Sequence, residues 1–218
     1  MKRILFQGDS VTDADRNREN PGSMGDGYPN IVRANLGLKY PGEYEFLNRG
    51  VSGNRIVNLF ERTKADLINL KPDYLSILIG INDVWHEVSR QNGVDAEKFE
   101  WVYRELIREV KTALPDLKIL IMEPFVLHGT ATENTEEIPD RWEYFSLETP
   151  KRAAVARKIA EEFDLDFLPL QEKFTQAAAS TSPSLWLRDG VHPTPAGHTL
   201  IAREWMKAFE NKFGKEAK

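Results

Sequence analysis

The sequence contains no cysteine. Disulfides, thiolate nucleophiles and cysteine metal ligands are therefore excluded, and the absence suits a reducing cytosol. Histidine is scarce as well, with four in 218 residues. None of them has a recognised zinc spacing: His192 and His198 are six residues apart at a helix start, and His86 and His128 have no ligand cluster beside them. No metal is expected. Long apolar runs are also missing, so nothing approaches the roughly 20 residues needed for a membrane-spanning helix. The stretch Ile4-Leu5-Phe6 after Met1-Lys2-Arg3 is far too short for a signal-peptide core. A cytoplasmic protein with no membrane partner is the expectation. No long basic run occurs, and 34 acidic against 29 basic residues give a formal charge of -5, which would repel a phosphate backbone. Nucleic acid is not expected as a partner. Repeats, low-complexity tracts and interdomain linkers are absent, and the length is too small for two typical domains of separate function, so residues 1–218 are read as one domain.

What is present is 41% hydrophobic and 29% charged residues, the range of folded, soluble proteins. Short apolar runs alternate with longer amphipathic stretches, the pattern of parallel strands joined by crossover helices, and this gives an α/β class. Strands are predicted over Arg3 to Gln7, Tyr44 to Asn48, Tyr74 to Ile79, Lys118 to Met122 and Asp166 to Leu168. Helices are predicted over Tyr28 to Leu38, Ile56 to Leu70, Ala96 to Leu114 and Pro150 to Phe163. A last helix has Thr194 as N-cap and Pro195 at its first position, and continues over Ala196 to Phe213. Two polar loops are long, Asp13 to Gly27 and His128 to Arg141. Both should lie at the carboxyl ends of strands, where open α/β sheets place their sites.

Four short motifs share that end of the sheet. Gly8-Asp9-Ser10 follows the first strand and presents Ser10 on a turn; alone, this tripeptide is ordinary turn chemistry. Asp9 is read as fixing the turn through backbone hydrogen bonds. Asp189-Gly190-Val191-His192 precedes Pro193, which disfavours helix at His192 and puts the motif on a loop. A carboxylate three residues before an imidazole can hold the tautomer in which the other ring nitrogen accepts a serine proton. Gly80-Ile81-Asn82-Asp83 ends the most apolar strand, and reads either as a strand-ending turn or as a place where the Asn82 amide can donate to the oxygen of a tetrahedral intermediate. In Asn48-Arg49-Gly50-Val51-Ser52-Gly53-Asn54, Gly53 can offer a backbone N–H or simply complete a turn. Gly50-Val51-Ser52-Gly53 lacks the last glycine of a Gly-x-Ser-x-Gly elbow, which argues against Ser52 as nucleophile.

Taken in order, Gly8-Asp9-Ser10, Gly53, Gly80-Ile81-Asn82-Asp83 and Asp189-Gly190-Val191-His192 resemble the four blocks of the SGNH hydrolase (GDSL esterase/lipase) family across nearly the whole chain. The resemblance implies a three-layer α/β/α sandwich, flavodoxin-like, around a roughly five-stranded parallel sheet. It implies Ser10 as nucleophile, His192 as base and Asp189 as its partner, with the Ser10 N–H, Gly53 N–H and Asn82 side chain as oxyanion hole. No cofactor is needed for such chemistry. The longer strings Gly50-Val51-Ser52-Gly53-Asn54, Gly80-Ile81-Asn82-Asp83-Val84-Trp85 and His192-Pro193-Thr194-Pro195-Ala196-Gly197-His198 are similar to a narrower branch, the bacterial intracellular acetylxylan esterases, which deacetylate xylo-oligosaccharides. That branch has tryptophan directly before the aspartate; here Arg188 stands there and the nearest tryptophan is Trp186.

The resulting expectation is a serine esterase for short acyl groups, acetyl above all, on a small-molecule or oligosaccharide ester. Two alternatives stay open: a lysophospholipase- or thioesterase-type acylhydrolase, and a non-catalytic anion- or nucleotide-binding module, although no Walker or Gly-x-Gly-x-x-Gly pattern is present. Trp85 and Trp186 are the residues on which a sugar ring could rest, with Trp142 also placed in or near a loop. Trp101 and Trp205 fall on helical faces and are assigned to packing. A homo-oligomer is compatible with the sequence but is not written in its motifs.

Overall fold

The computed structural model describes residues 1–213. Five strands, β1 (Lys2–Gly8), β2 (Tyr44–Asn48), β3 (Tyr74–Leu78), β4 (Lys118–Met122) and β5 (Asp166–Leu168), form one sheet ordered β2-β1-β3-β4-β5 with every pairing parallel. A parallel sheet needs cover on both faces, so its strands read as nearly continuous apolar runs, and all five residues of β3 are buried. The helices are α1 (Ser10–Asp13), α2 (Tyr28–Lys39), α3 (Ile56–Glu61), α4 (Thr63–Asp66), α5 (Ile81–Arg90), α6 (Ala96–Ala113), α7 (Arg141–Glu162), α8 (Gln171–Ala178) and α9 (Pro195–Phe213).

Successive strand residues point to opposite faces, and the core divides accordingly. Ile4, Phe6, Leu78 and Met122 pack with Val32 and Leu36 of α2, Phe174 of α8 and Ile201, Trp205 and Phe209 of α9. Leu5, Leu75, Ile77 and Ile121 pack on the other side with Leu59 of α3, Phe99, Leu106 and Ile107 of α6, and Val155 and Ile159 of α7. The result is an α/β/α sandwich. In the strand order the chain turns back between β1 and β3, and such a switch point opens a crevice beyond the carboxyl ends of the strands. Among the described residues, no helix is long and apolar enough to cross a membrane.

Several sequence expectations need correction. The helix expected over Ile56 to Leu70 is broken into α3, α4 and a 3-10 turn at Ile68–Leu70. At the first break the Thr63 hydroxyl donates to the Leu59 carbonyl at 2.9 Å, so a side chain competes with the helical ladder. Pro150 does not begin a helix: it lies inside α7, which starts at Arg141. An interior proline costs about 3 kcal/mol, but Phe145, Thr149, Arg152, Ala156 and Ile159 form one continuous buried face at helical spacing, and Pro150 is exposed on the other side. Trp101 is not a packing residue. It is 59% exposed, because the buried face of α6 runs through Phe99, Val102, Tyr103, Leu106 and Ile107. Three helices, the short α1 as well as α5 and α8, were not expected; residues 81–83 form the first turn of α5 rather than a turn alone, and Trp85 and Trp142 stand on helices.

Candidate active site

Ser10 is the first residue of α1, two residues beyond the end of β1. Asp9 caps this short helix, its side chain accepting the Val11 N–H at 3.0 Å, so the turn is fixed as its sequence suggests. Burial raises the Asp9 carboxyl to about 7, against the opposing pull of the Val11 N–H and of His192. The Ser10 hydroxyl oxygen lies 3.0 Å from Nε2 of His192, across 182 residues of chain.

His192 reaches that position on a tight loop between α8 and α9. Arg188 N–H donates to the His192 carbonyl at 2.9 Å, and Gly190 supplies the positive φ of 96° on which the turn depends. A side chain at Gly190 would also strike the Leu127 carbonyl, so glycine is required twice over. Asp189 organises the loop. One carboxylate oxygen accepts the backbone N–H groups of Val191 and His192 at 3.0 and 2.8 Å, and the other lies 2.7 Å from His192 Nδ1. Partial burial alone would raise this carboxyl, but the His192 ring, the two N–H groups and the His192 charge outweigh it and hold Asp189 at about 2. It is therefore anionic at neutral pH, as a partner for imidazolium must be. Ser10, His192 and Asp189 are thus brought into one hydrogen-bonded chain.

The segment after β2 lies against the same turn. Val51 N–H donates to the Gly8 carbonyl at 3.0 Å, and the buried Asp13 accepts the Ser52 N–H at 2.9 Å. A Cβ on Gly50 would meet the Asp13 backbone at 2.3 Å, which explains that glycine by close approach. Gly53 has a φ of 82°, and the space where its Cβ would stand is open. Asn82, in the first turn of α5, donates one amide hydrogen to the Asn54 carbonyl at 3.1 Å, leaving its second hydrogen for another acceptor. Next to it Asp83 is fully buried and accepts the Ile56 N–H with both oxygens, at 3.0 and 3.2 Å, anchoring the start of α3. Burial raises Asp83 well above the ordinary carboxylate range, with Ile56 N–H and Arg152 opposing.

The aromatic residues separate. The Trp85 ring lies 5.7 Å from the His192 ring and edge-on to Phe145 at 5.9 Å. Trp142 stacks edge-on with the exposed His128 at 5.1 Å and packs, like Trp85, on the cluster of Ile81, Val84, Phe145 and Val191. Trp186 is elsewhere: its indole donates to Thr181, and it lines an open groove between α8 and α9 with Lys173, Leu200 and Arg203, a groove that none of Ser10, Asp189 and His192 lines. His198 is buried and takes the Tyr28 N–H on Nδ1 at 3.2 Å. Burial, with Arg188 and His192 nearby, lowers it to about 4, so it is a neutral acceptor built into the fold. Among the described residues no group of three or more histidines and carboxylates is arranged to hold a metal. Asp13, Arg62 and Asp83 were not singled out from the sequence as parts of the site. Nothing local marks them, since a charged residue reads as a solvated one whether it opens a polar loop, as Asp13 does, ends a strand motif, as Asp83 does, or falls in a helical stretch, as Arg62 does.

Comparison with known proteins bears on what this arrangement does. The model of the GDSL-like Lipase/Acylhydrolase family matches residues 6–200. An acetylxylan esterase of Geobacillus stearothermophilus is 32% identical over 215 residues, covering 94% of this chain and 93% of that protein. The solved structure of Axe2, an acetylxylan esterase from the same organism, superposes with a TM-score of 0.81 at 32% identity, over 95% of this chain and 93% of the other. Further structures of Axe2 are of catalytic mutants in which a serine, an aspartate or a histidine is replaced by alanine. A protein of Parabacteroides merdae provisionally described as a GDSL-like lipase gives a TM-score of 0.86 at 36% identity, over 97% of this chain and 96% of that one. The chain belongs to the GDSL-like lipase/acylhydrolase family and is a serine ester hydrolase.

Proposed function

We propose that this enzyme removes short acyl groups, acetyl in the first place, from carbohydrate esters such as acetylated xylo-oligosaccharides, through a covalent Ser10 intermediate. The observation that carries the mechanism is the chain Ser10 Oγ, His192 Nε2, His192 Nδ1, Asp189 Oδ2, with spacings of 3.0 and 2.7 Å. His192 takes the Ser10 proton as the hydroxyl oxygen attacks the ester carbonyl, and the carbonyl oxygen becomes an oxyanion. The Ser10 N–H at the start of α1, the Gly53 N–H and the free Asn82 amide hydrogen receive it. His192 then gives its proton to the leaving alcohol. A water molecule, deprotonated by the same imidazole, attacks the acyl-serine and releases the acid. His192 returns that proton to the Ser10 oxygen as the acyl bond breaks, so water is the acyl acceptor and no electron transfer is involved.

Substrate class rests on different observations. The family's acetylxylan esterase member supports an acetylated sugar, and the Trp85 ring beside His192 gives a flat apolar surface of the kind sugar rings stack on. Trp186 is withdrawn from this role, since it faces a separate groove. The test is a panel of acetyl, butyryl and longer esters, acyl thioesters and lysophospholipid, run beside acetylated xylo-oligosaccharides. Highest kcat/KM on the acetylated oligosaccharide supports the reading; a maximum on long acyl chains or on a thioester overturns it.

A further inference from the structure

Arg62 stands at the junction of α3 and α4, outside the catalytic chain, and its side chain is only 16% exposed. Its Nε donates to Asn54 Oδ1 at 2.8 Å, Nη1 to the Arg49 carbonyl at 2.8 Å and to Asp66 at 3.0 Å, and Nη2 to the Gly8 carbonyl at 3.3 Å. Gly8 ends β1, two residues before Ser10, whereas Arg49 and Asn54 bracket the segment that carries Gly53. One rigid planar group therefore ties the strand that presents the serine to both ends of the loop that presents the glycine.

We propose that Arg62 is a positioning residue that sets the separation of the Ser10 nucleophile from the Gly53 N–H, and so preorganises the oxyanion hole. The inference rests on the oxyanion hole proposed above. Two features of the loop call for such a clamp. At Gly53 the loop has no side chain and open space around the position where one would stand, so packing does not fix it. Its other ties are Val51 N–H to the Gly8 carbonyl, Asn54 N–H to the Val51 carbonyl, Ser52 N–H to Asp13, Arg16 to the Gly50 carbonyl and Asn82 to the Asn54 carbonyl, and none of them takes in the Arg49 carbonyl or the Asn54 side chain, which Arg62 holds together with Gly8. Only arginine spans the Gly8 carbonyl, the Arg49 carbonyl and the Asn54 side chain together, because its five N–H donors are set in a fixed fork, whereas a lysine ammonium is a single point. Burial pulls this guanidinium below its ordinary value, and Asp66, one turn on, opposes that pull.

An oxyanion donor works only within a few tenths of an ångström of its place, and misplacement by about 1 Å costs on the order of 100-fold in rate. Since Asp13 and Asn82 still hold the loop, Arg62→Ala is expected to lower kcat about 10- to 100-fold on 4-nitrophenyl acetate, with KM within about threefold. Arg62→Lys should recover little of this loss, while millimolar guanidinium ion added to Arg62→Ala should recover part of it. Asn54→Ala, a half-buried position that leaves the fold intact, should lower kcat less, and the double variant should be no worse than Arg62→Ala, because both changes break the same tie. A folded Arg62→Ala enzyme with wild-type kcat, a loss confined to KM, or strictly additive losses would overturn the proposal. If Arg62→Ala does not fold, Arg62→Lys and Asn54→Ala decide by the same kcat criterion. Labelling of wild-type Ser10 by a fluorophosphonate separates the two levels. With Ser10 labelled, an unaffected Arg62→Ala enzyme overturns only the positioning role; with Ser10 unlabelled, the hydrolytic reading falls and this inference with it.

Discussion

The Asp189 carboxylate meets His192 twice: one oxygen lies 2.7 Å from the ring Nδ1, and the other accepts the backbone N–H of the same residue at 2.8 Å. The double contact fixes both the direction of the imidazole and its tautomer, since a carboxylate accepts and Nδ1 must then donate. Nε2 is left as an acceptor facing the Ser10 hydroxyl, which is the protonation pattern a general base requires.

Asp189→Asn keeps the shape of the loop but offers an amide that can donate to Nδ1, favouring the wrong tautomer. Turnover should fall on the order of 10,000-fold. A near-normal kcat in that variant, measured at neutral pH on 4-nitrophenyl acetate, would mean that another group orients His192.

Ser10→Ala should abolish both turnover and fluorophosphonate labelling while leaving the thermal midpoint within about 2 °C, because the change removes one half-buried hydroxyl. Ser52→Ala should remain labelled and active. The reverse pattern would move the nucleophile to Ser52.

Asn82→Ala removes the donor proposed for the oxyanion and also the tie to the Asn54 carbonyl. The expected loss is on the order of 100- to 1,000-fold in kcat, with KM little changed, since the oxyanion exists only in the transition state. Steady-state kinetics that put the loss in KM would remove Asn82 from the hole.

Two buried groups give stability a pH dependence of opposite sign. Asp9 is raised from 3.8 to about 7 in the fold, so its contribution is fully present below pH 3.8 and is lost as pH rises through about 7. His198 is lowered from 6.5 to about 4, so the folded state binds fewer protons in that window and stability is lost as pH falls from 6.5 towards 4. Asp9→Asn should thus make stability rise more steeply with pH between about 4 and 7. Urea midpoints measured across that range test it; an unchanged profile would show that Asp9 does not titrate there.

Trp85→Ala should raise KM for an acetylated xylo-oligosaccharide several-fold more than for 4-nitrophenyl acetate, which has no sugar ring to stack. Equal effects on both substrates would reduce Trp85 to a packing partner of His192 and Phe145.

Much of the architecture was legible in the sequence because its signals are local. The five strands fall within a residue or two of the expected ranges, since a parallel strand covered on both faces announces itself as a short apolar run. Thr194 caps α9 as expected, its hydroxyl accepting the Gly197 N–H at 3.2 Å. Asp189, three residues before His192 on a loop closed by Pro193, carried its own pairing in its spacing. Elements whose form depends on distant partners were misread. By local rules Pro150 belongs at a helix start and not in a helix interior, yet the buried face from Phe145 to Ile159 holds it inside α7. Trp101 and Trp205 look alike in sequence, and only the rotation of their helices on the sheet leaves one exposed and the other at 2% exposure.

The same division runs through the site. Residue types and spacings determined by themselves that a serine, a glycine loop, an asparagine and an aspartate–histidine pair follow strands or precede a helix, at the end of the sheet where sites are built. Tertiary structure alone decided that Ser10 Oγ and His192 Nε2 come within 3.0 Å, that Trp85 and not Trp186 stands beside the imidazole, and that Arg62 reaches from the junction of α3 and α4 back to Gly8 and Asn54. The reason is physical: a side chain's nearest neighbours in sequence set its backbone, whereas hydrogen bonds made across tens or hundreds of residues exist only once the strands have fixed their order and the helices their rotation. Charges such as those of Asp13, Arg62 and Asp83 look solvated until that packing is complete, and only then become the ties that hold a loop in place.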